Sequence, residues 1–266
     1  MPYSPPPGLR LGRARVQRGA AVPCGGPALP LLLPRPLRTP PRTQRGLASE
    51  VVRYVGEAVA FVVAESRYLA EDAADLVEVD YEPLPAVVTP ELSVQAEHLV
   101  HSGVPGNVAA DVTQVVGDPD AAFAAAPHVL ERHLRMERSA AQPLEGRAIW
   151  ARWDDYEKRL TVYDSTQSPT SIRGGLAVLF GLPETSVDVI APDVGGGFGS
   201  KIMLFNPDEL LVPHAAIELG RPVKGTEDRR AHFTAVSHER AQVHEGRCGF
   251  AERGKVGGGD VDVVQP

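Results

Sequence analysis

The stretch Ala191-Pro-Asp-Val-Gly-Gly-Gly-Phe-Gly-Ser-Lys201 carries the strongest chemical signal in the chain. Four glycines and one aromatic follow an apolar, strand-like run, Val187-Asp-Val-Ile-Ala191. Glycine lets a backbone approach a ligand closely, and it lets N–H groups converge on one oxyanion or oxo group. A bulky Phe198 inside such a loop is foreign to a flexible linker and suits a loop that presses against something flat or electron-rich. The bland alternative is a glycine-rich turn between two elements.

Nucleotide readings fail on spacing. A P-loop that begins at Gly195 needs its second glycine where Ser200 stands, and the residue after Lys201 is Ile202 rather than Ser or Thr. A dinucleotide fingerprint from Gly195 also ends on Ser200, and Asn206-Pro207 interrupts any helix that should follow at once.

The neighbourhood is more specific. Upstream, Tyr163-Asp-Ser-Thr-Gln167 closes the strand-like segment Arg159-Leu-Thr-Val-Tyr163. Downstream come Pro207-Asp-Glu-Leu-Leu211, Leu219-Gly-Arg-Pro-Val-Lys224 and Thr226-Glu-Asp-Arg-Arg230. This ordered set resembles the large, molybdopterin-binding subunit of the molybdenum hydroxylases, a family that includes xanthine dehydrogenase, aldehyde oxidase and aerobic carbon monoxide dehydrogenase. Its hallmark is an Asp-Val-Gly-Gly-Gly-Phe-Gly-x-Lys loop preceded by Ser-Thr-Gln. Both are present, with Gln167 and Phe198 separated by 31 positions (198 − 167).

The resemblance implies a molybdenum–molybdopterin cofactor, in its cytosine dinucleotide form, that hydroxylates an aldehyde or N-heterocycle, or oxidises carbon monoxide, with a water-derived oxygen. It implies partner subunits carrying iron–sulfur clusters and FAD, assembled as a homodimer of heterotrimers, and a small-molecule substrate. By resemblance, the Gln167 amide donates to the apical oxo group, and a neutral amide does so without adding charge. Phe198 and Gly199 line the metal pocket, and Gly196 and Gly197 allow backbone approach to the pterin. The family's general-base glutamate lies near its C-terminus and has no counterpart here, so no catalytic residue and no protein ligand to the metal is assigned. Glu145 and Glu209 match family positions other than the base. Lys201 either neutralises local charge or faces solvent, the commoner fate of a lysine. Arg221, Lys224, Asp228 and Arg229 read as structural ion pairs. Ile202 lacks the acidic group that purine-oxidising relatives place after this loop. The substrate itself is not legible. A non-catalytic remnant is the alternative to an enzyme subunit, because relatives extend well beyond Pro266.

The elements that must position these residues follow from periodicity. Val59 to Ala64 is almost wholly apolar, as in a strand covered on both faces. Ser66 can cap a helix with Leu69, Ala73, Leu76 and Val77 at helical spacing. Val77-Glu-Val-Asp-Tyr81 alternates like a half-exposed strand that Pro83 and Pro85 stop. This segment resembles the family's α/β hammerhead domain. Asp118 to Ala126 predicts a short helix with Pro119 in its first turn. Val129 to Arg138 and Arg147 to Trp153 alternate like strands. Ser168 to Leu182 and Glu209 to Leu219 read as helices closed by Gly181 and Gly220. The fold class is therefore α+β. The expected organisation is a Pro/Arg-rich, disordered segment 1–46, a partial hammerhead domain 47–95, a linker 96–127, a partial molybdopterin-binding domain 128–245 and an irregular tail 246–266. A shifted reading frame at either end is one reading of the Arg, Pro and Gly found there.

Composition narrows the classes. The chain has 266 residues, is 43% hydrophobic and carries a net charge of −7, which gives it material for a core and argues against a nucleic-acid partner. No apolar run is long enough to span a membrane. Two cysteines, Cys24 and Cys248, form no disulfide or zinc pattern, and the eight histidines show no paired metal-ligand spacing. His232 and His238 read as surface or structural residues. A reducing, cytoplasmic setting is the default.

Overall fold

The computed structural model describes residues 46–48, 51–108, 111, 113–202, 206–250 and 256–264. Apart from the buried Gly46, the low-complexity segment expected over 1–46 lies outside the described residues. In chain order the elements are α1 (Arg67–Ala74), α2 (Pro90–Gln95), α3 (Pro119–Ala125), β1 (His128–Ala140), β2 (Ala148–Asp154), β3 (Arg159–Asp164), α4 (Pro169–Phe180), β4 (Val187–Ile190), α5 (Pro207–Leu219), β5 (Val223–Thr226), α6 (Arg229–Ala235), β6 (His238–Phe250) and β7 (Val256–Val264). They divide into two compact units. One gathers the described residues through Glu82 with Gln142–Val236, the other those of Pro83–Ala141 and Ser237–Pro266.

The first unit is built on a four-stranded sheet of order β4-β3-β2-β5. β2 and β3 form an antiparallel hairpin whose turn is held by Asp154 Oδ1, which accepts from the N–H groups of Tyr156 (3.0 Å) and Glu157 (3.1 Å). Alternation aims Ile149 and Ala151 of β2 and Leu160 and Val162 of β3 at one face. Ile172, Leu176 and Ala177 of α4 and Val212, Ala215 and Ala216 of α5 complete that core. Both helices end on left-handed glycines, Gly181 and Gly220, where a Cβ would be strained. Leu160 is fully buried, so Leu160→Ala is expected to cost about 2–5 kcal/mol, read from urea denaturation midpoints. An unchanged midpoint would contradict this placement of the core.

β3 pairs with β4 in parallel, through the α4 crossover. The carboxyl ends of both strands therefore lie at one edge of the sheet, where open α/β sheets place their ligand crevices. The segments leaving those ends are Ser165–Gln167 and Pro192–Lys201. α5 begins two residues earlier than its periodicity predicts, behind a capping box of Asn206 and Glu209, which puts Pro213 inside the helix.

Ser66 caps α1 as predicted, its side chain accepting from Leu69 N–H. Leu76, assigned to that helix on spacing, lies beyond its end and is exposed. The strands expected over Val59–Ala64 and Val77–Tyr81 are not formed among the described residues. Phe61 and Val63 do pack against the core, but neither segment has a ladder neighbour. An apolar or alternating run specifies burial; it does not supply the partner that its N–H and C=O groups need.

In the second unit β1, β6 and β7 form an antiparallel sheet in that order. α3, capped by Asp118 with Pro119 in its first turn, packs on β6 and β7. The Arg247 guanidinium stacks over the Phe123 ring at 4.7 Å. A Cβ on Gly249 would come within 2.9 Å of the Ala126 Cβ, so glycine permits this approach. α2, at the end of the segment expected to be the partial hammerhead domain (47–95), has no counterpart in the sequence reading; Thr89 caps it, its side chain accepting from Leu92 N–H. The irregular tail expected from 246 onward is also overturned. β6 continues to Phe250, and β7 pairs with it from Val256 to Val264. Gly257-Gly-Gly259 conceals that strand, because glycine shows no side-chain alternation.

Candidate functional site

The glycine loop is held at both ends by the turn Gln142–Arg147 and the segment after β3. Gly195 N–H donates to Glu145 Oε2 (2.7 Å), and Glu145 N–H donates to the Gly195 carbonyl (3.2 Å). At the far end the Lys201 carbonyl accepts from Gln167 N–H (2.8 Å) and from Thr166 Oγ1 (3.2 Å). Within the loop, Ser200 donates through N–H (3.0 Å) and Oγ (2.8 Å) to the Gly197 carbonyl. Phe198 sits at φ 52° with its side chain largely in solvent at 70% exposure. A left-handed Phe costs about 1–2 kcal/mol, a strain that persists only where surroundings over-determine it.

Gln167 stands beside this loop. Its Oε1 accepts from Gly199 N–H (3.1 Å) and Lys201 N–H (3.3 Å). Two backbone donors at one atom require the amide oxygen there, so Nε2 is turned away from the loop. Gly197 leaves room for this: a Cβ there would lie 2.3 Å from Gln167 Oε1. Gly196 (φ 95°) and Gly199 (φ 90°) occupy conformations that L side chains rarely adopt. The structure thus brings Gln167, Gly196, Gly197, Phe198 and Gly199 together at the carboxyl ends of β3 and β4. A cavity of 1290 Å³ lies elsewhere and involves none of them; Gly56–Arg67, Tyr81 and Pro222–Thr226 are among its lining residues.

Lys201 does not face solvent. It is 1% exposed, and its Nζ donates to Glu145 Oε2 (2.9 Å) and Ser165 Oγ (2.7 Å). Ser165 Oγ in turn donates to the same carboxylate oxygen (2.8 Å). Partial burial pushes the Glu145 carboxyl up, but hydrogen bonds from Lys201, Ser165 and Gly195 outweigh it and hold its pKa below the ordinary value. Neither partner had been assigned to the site. A lysine in a loop reads as solvated until a contact 56 residues away buries it.

A second network fixes the turn that carries Glu145. Arg147 pairs with Glu227 (2.8 Å) and Asp208 (3.3 Å). Glu227 Oε2 accepts from Arg147 N–H (3.0 Å) and lies 2.9 Å from Nδ1 of the fully buried His232, which is structural as expected. The ion pairs expected of Arg229 and Asp228 are replaced by other contacts. Arg229 donates to the carbonyls of Pro143 (2.9 Å) and Leu144 (2.7 Å), and Asp228 caps α6. Arg221 and Lys224 form no ion pair among the described residues.

Behind the loop lie carboxyls with strongly raised pKa values. Asp164, which ends the inward face of β3, is pushed up to about 7 by burial and then by Asp208. Burial, then Asp164 and Asp208, push Glu209 up to about 9. The two carboxyls act directly on each other, and the buried Asp164 Oδ2 has no donor among the described residues, so a proton on the pair is favoured. Asp208 is raised by burial against the opposing pull of Arg147. The sequence carried a signal for Asp164, since Leu160 and Val162 set an alternation that points it inward.

Comparison with known proteins agrees with this geometry. The molybdopterin cofactor-binding domain model matches residues 100–266, through the tail that looked aperiodic. The aldehyde oxidase and xanthine dehydrogenase a/b hammerhead model matches residues 34–85. The chain is 43% identical over 196 residues to the nicotine 6-hydroxylase large subunit of Paenarthrobacter nicotinovorans, covering 74% of this chain and 24% of that protein. It is 35% identical over 232 residues to the carbon monoxide dehydrogenase large chain of Hydrogenophaga pseudoflava, covering 82% and 29% respectively. Quinoline 2-oxidoreductase from Pseudomonas putida 86 superposes with a TM-score of 0.75 at 36% identity, over 83% of this chain and 28% of that one. The chain thus spans about a quarter of the length of the curated relatives it matches. No helix among the described residues is long and apolar enough to cross a membrane. With its hammerhead match, its cofactor-domain match and its glycine loop beside Gln167, the chain belongs to the molybdenum hydroxylase family of xanthine dehydrogenases, aldehyde oxidases and carbon monoxide dehydrogenases.

Proposed function

We propose that this chain holds a molybdenum–pterin cofactor at the carboxyl ends of β3 and β4 and serves the hydroxylation of an aldehyde or N-heterocycle, or the oxidation of carbon monoxide. The observation that carries this reading is the exposed Gln167 amide, whose oxygen is consumed by the Gly199 and Lys201 N–H groups, so that Nε2 is turned away from the loop. The donor set suits the group: a neutral amide for an oxo acceptor, and glycines that open the backbone to a pterin. When bound, the cofactor supplies the metal that activates a water-derived oxygen and accepts the electrons of the oxidation.

The chain's own residues bind and orient. Gln167 donates one hydrogen bond to the cofactor. Gly196 and Gly197 allow it close, and Phe198 with Gly199 forms the wall beside it. Glu145 accepts three donors at one oxygen and Glu209 is buried and protonated, so neither serves as the base. The cytosine dinucleotide form of the cofactor, partner subunits with iron–sulfur clusters and FAD, a homodimer of heterotrimers and a cytoplasmic setting all belong to this reading. The relatives' names as large subunit and large chain support partnership. The full commitment of Glu145 and Glu209 favours one second reading, a chain that holds cofactor without catalysing.

The test is the molybdenum and pterin content of the chain, purified in whatever assembly it forms from a molybdenum-replete host. About one metal per chain is expected, and Gln167→Ala should lower retention at least about tenfold, the loss of roughly one charge-free but buried hydrogen bond plus its ordering. A wild-type assembly free of molybdenum and pterin would refute the cofactor reading.

A further inference from the structure

Residues Gly195 to Lys201 form a loop whose two ends meet at one atom. An extended run of this length reaches roughly 20 Å or more. Yet Gly195 N–H and Lys201 Nζ both donate to Glu145 Oε2, at 2.7 Å and 2.9 Å. Ser165 Oγ bridges the same two side chains, accepting from Lys201 and donating to Glu145. Between these ends stands Phe198, the one left-handed non-glycine residue of the loop. Its ring is largely exposed, so local burial does not repay its backbone strain. Such a conformation survives when the surrounding structure fixes the chain on both sides.

We propose that Lys201 and Glu145 are positioning residues: their buried ion pair clasps the two ends of the glycine loop and so holds Phe198 left-handed and the Gly199 N–H on Gln167. The role follows from the cofactor reading, because the held surface is the one assigned to the pterin and metal, but the clasp is a property of the bare chain. Lys201 is suited to it because its ammonium reaches two acceptors from a position without solvent. Glu145 is suited because one carboxylate oxygen can receive three donors. Removing the ammonium unties the Lys201 end from the Glu145 turn and leaves it only its backbone bonds to Thr166 and Gln167, and Phe198 then relaxes toward the right-handed or extended region.

The test is amide hydrogen exchange on the full cofactor-free chain, wild type against Lys201→Met. The expected result is a loss of protection of about tenfold or more at Gly195, Gly199 and Lys201, with β2 and β3 amides unchanged within about threefold. In the Lys201→Met background, Phe198→Asn should restore a good part of the Gly199 protection, because asparagine accepts the left-handed region. A merely structural lysine would not be rescued at that position. Should Lys201→Met fail to fold, Ser165→Ala removes only the bridging hydroxyl and should loosen the same three amides to a smaller degree. Unchanged loop protection, a uniform loss across the sheet, or no rescue by Phe198→Asn each overturns the clasp. A loosened loop in a chain whose wild type never holds molybdenum would leave the clasp standing and sink the cofactor reading. A molybdenum-loaded chain whose loop ignores Lys201→Met would do the reverse.

Discussion

Gly197→Ala is expected to empty the candidate site while leaving the sheet intact. The new Cβ would stand 2.3 Å from Gln167 Oε1, 2.4 Å from its Cδ and 2.7 Å from its Cγ, distances no methyl group tolerates. All three atoms belong to a side chain that can swing aside, so the fold survives at modest cost. What cannot survive is the Gln167 pose. Its oxygen leaves Gly199 and Lys201, and its amide no longer points where the cofactor is proposed to bind. Circular dichroism should stay native. Exchange at the Gly199 and Lys201 amides should rise by about tenfold or more, roughly the loss of one hydrogen bond. Molybdenum retention should fall to the level of Gln167→Ala. A chain with alanine at 197 and native exchange at both amides would show that the Gln167–loop contact is not what shapes this edge of the sheet.

The second large effect is on stability against pH. Asp164 and Glu209 have folded pKa values of about 7 and about 9, both raised chiefly by burial. Groups raised on folding contribute stability that is fully present below their unfolded values, near 4, and is lost as pH rises through the folded ones. The loss can reach about 1.4 kcal/mol per pH unit for each proton the folded state retains. Asp208 shifts in the same direction. The chain should therefore weaken steadily between about pH 5 and about pH 9, as read from urea midpoints. Glu209→Gln keeps a donor for Asp164 and an acceptor for the Asn206 N–H, and should flatten that slope. Glu145 works in the opposite sense: its lowered pKa gives stability that disappears on acidification through the ordinary carboxylate range. It is partly exposed, so solvent screening keeps its share small. Stability that climbs from mildly acidic to alkaline conditions would rule out a protonated Asp164–Glu209 pair.

What the sequence made legible was whatever is local. Alternation marked β1 and β2, a strand-like run marked β3, and helical spacing with closing glycines marked α4 and α5; in β2 and β3 the side-chain period also matches the buried face, whereas β1 is exposed along almost its whole length. The glycine loop and Gln167 were legible as a motif, since close approach needs those residue types in that order. The unpaired stretches Val59–Ala64 and Val77–Tyr81 mark the limit: an apolar pattern carries no information about which strand will lie alongside. β7 failed in the other direction, paired through its backbone while its glycines hide the period. Of the two roles open for Lys201, charge neutralisation is the one realised, but its partner was not legible, for a related reason. Its burial is set by Glu145 and Ser165, which approach it only once β3 and β4 lie parallel.

That dependence limits how the loop could be moved elsewhere. Its sequence is contiguous, but its shape is not contained in it. One end is set by a turn 50 residues upstream, through Gly195 and Glu145, and the other by the residues that leave β3. A peptide of the glycine motif alone, or the same motif grafted onto another scaffold, has no reason to keep Phe198 left-handed. The smallest transplantable piece is the turn at Glu145 with the β2–β3–α4–β4 unit around it, a substantial part of one domain rather than a signature.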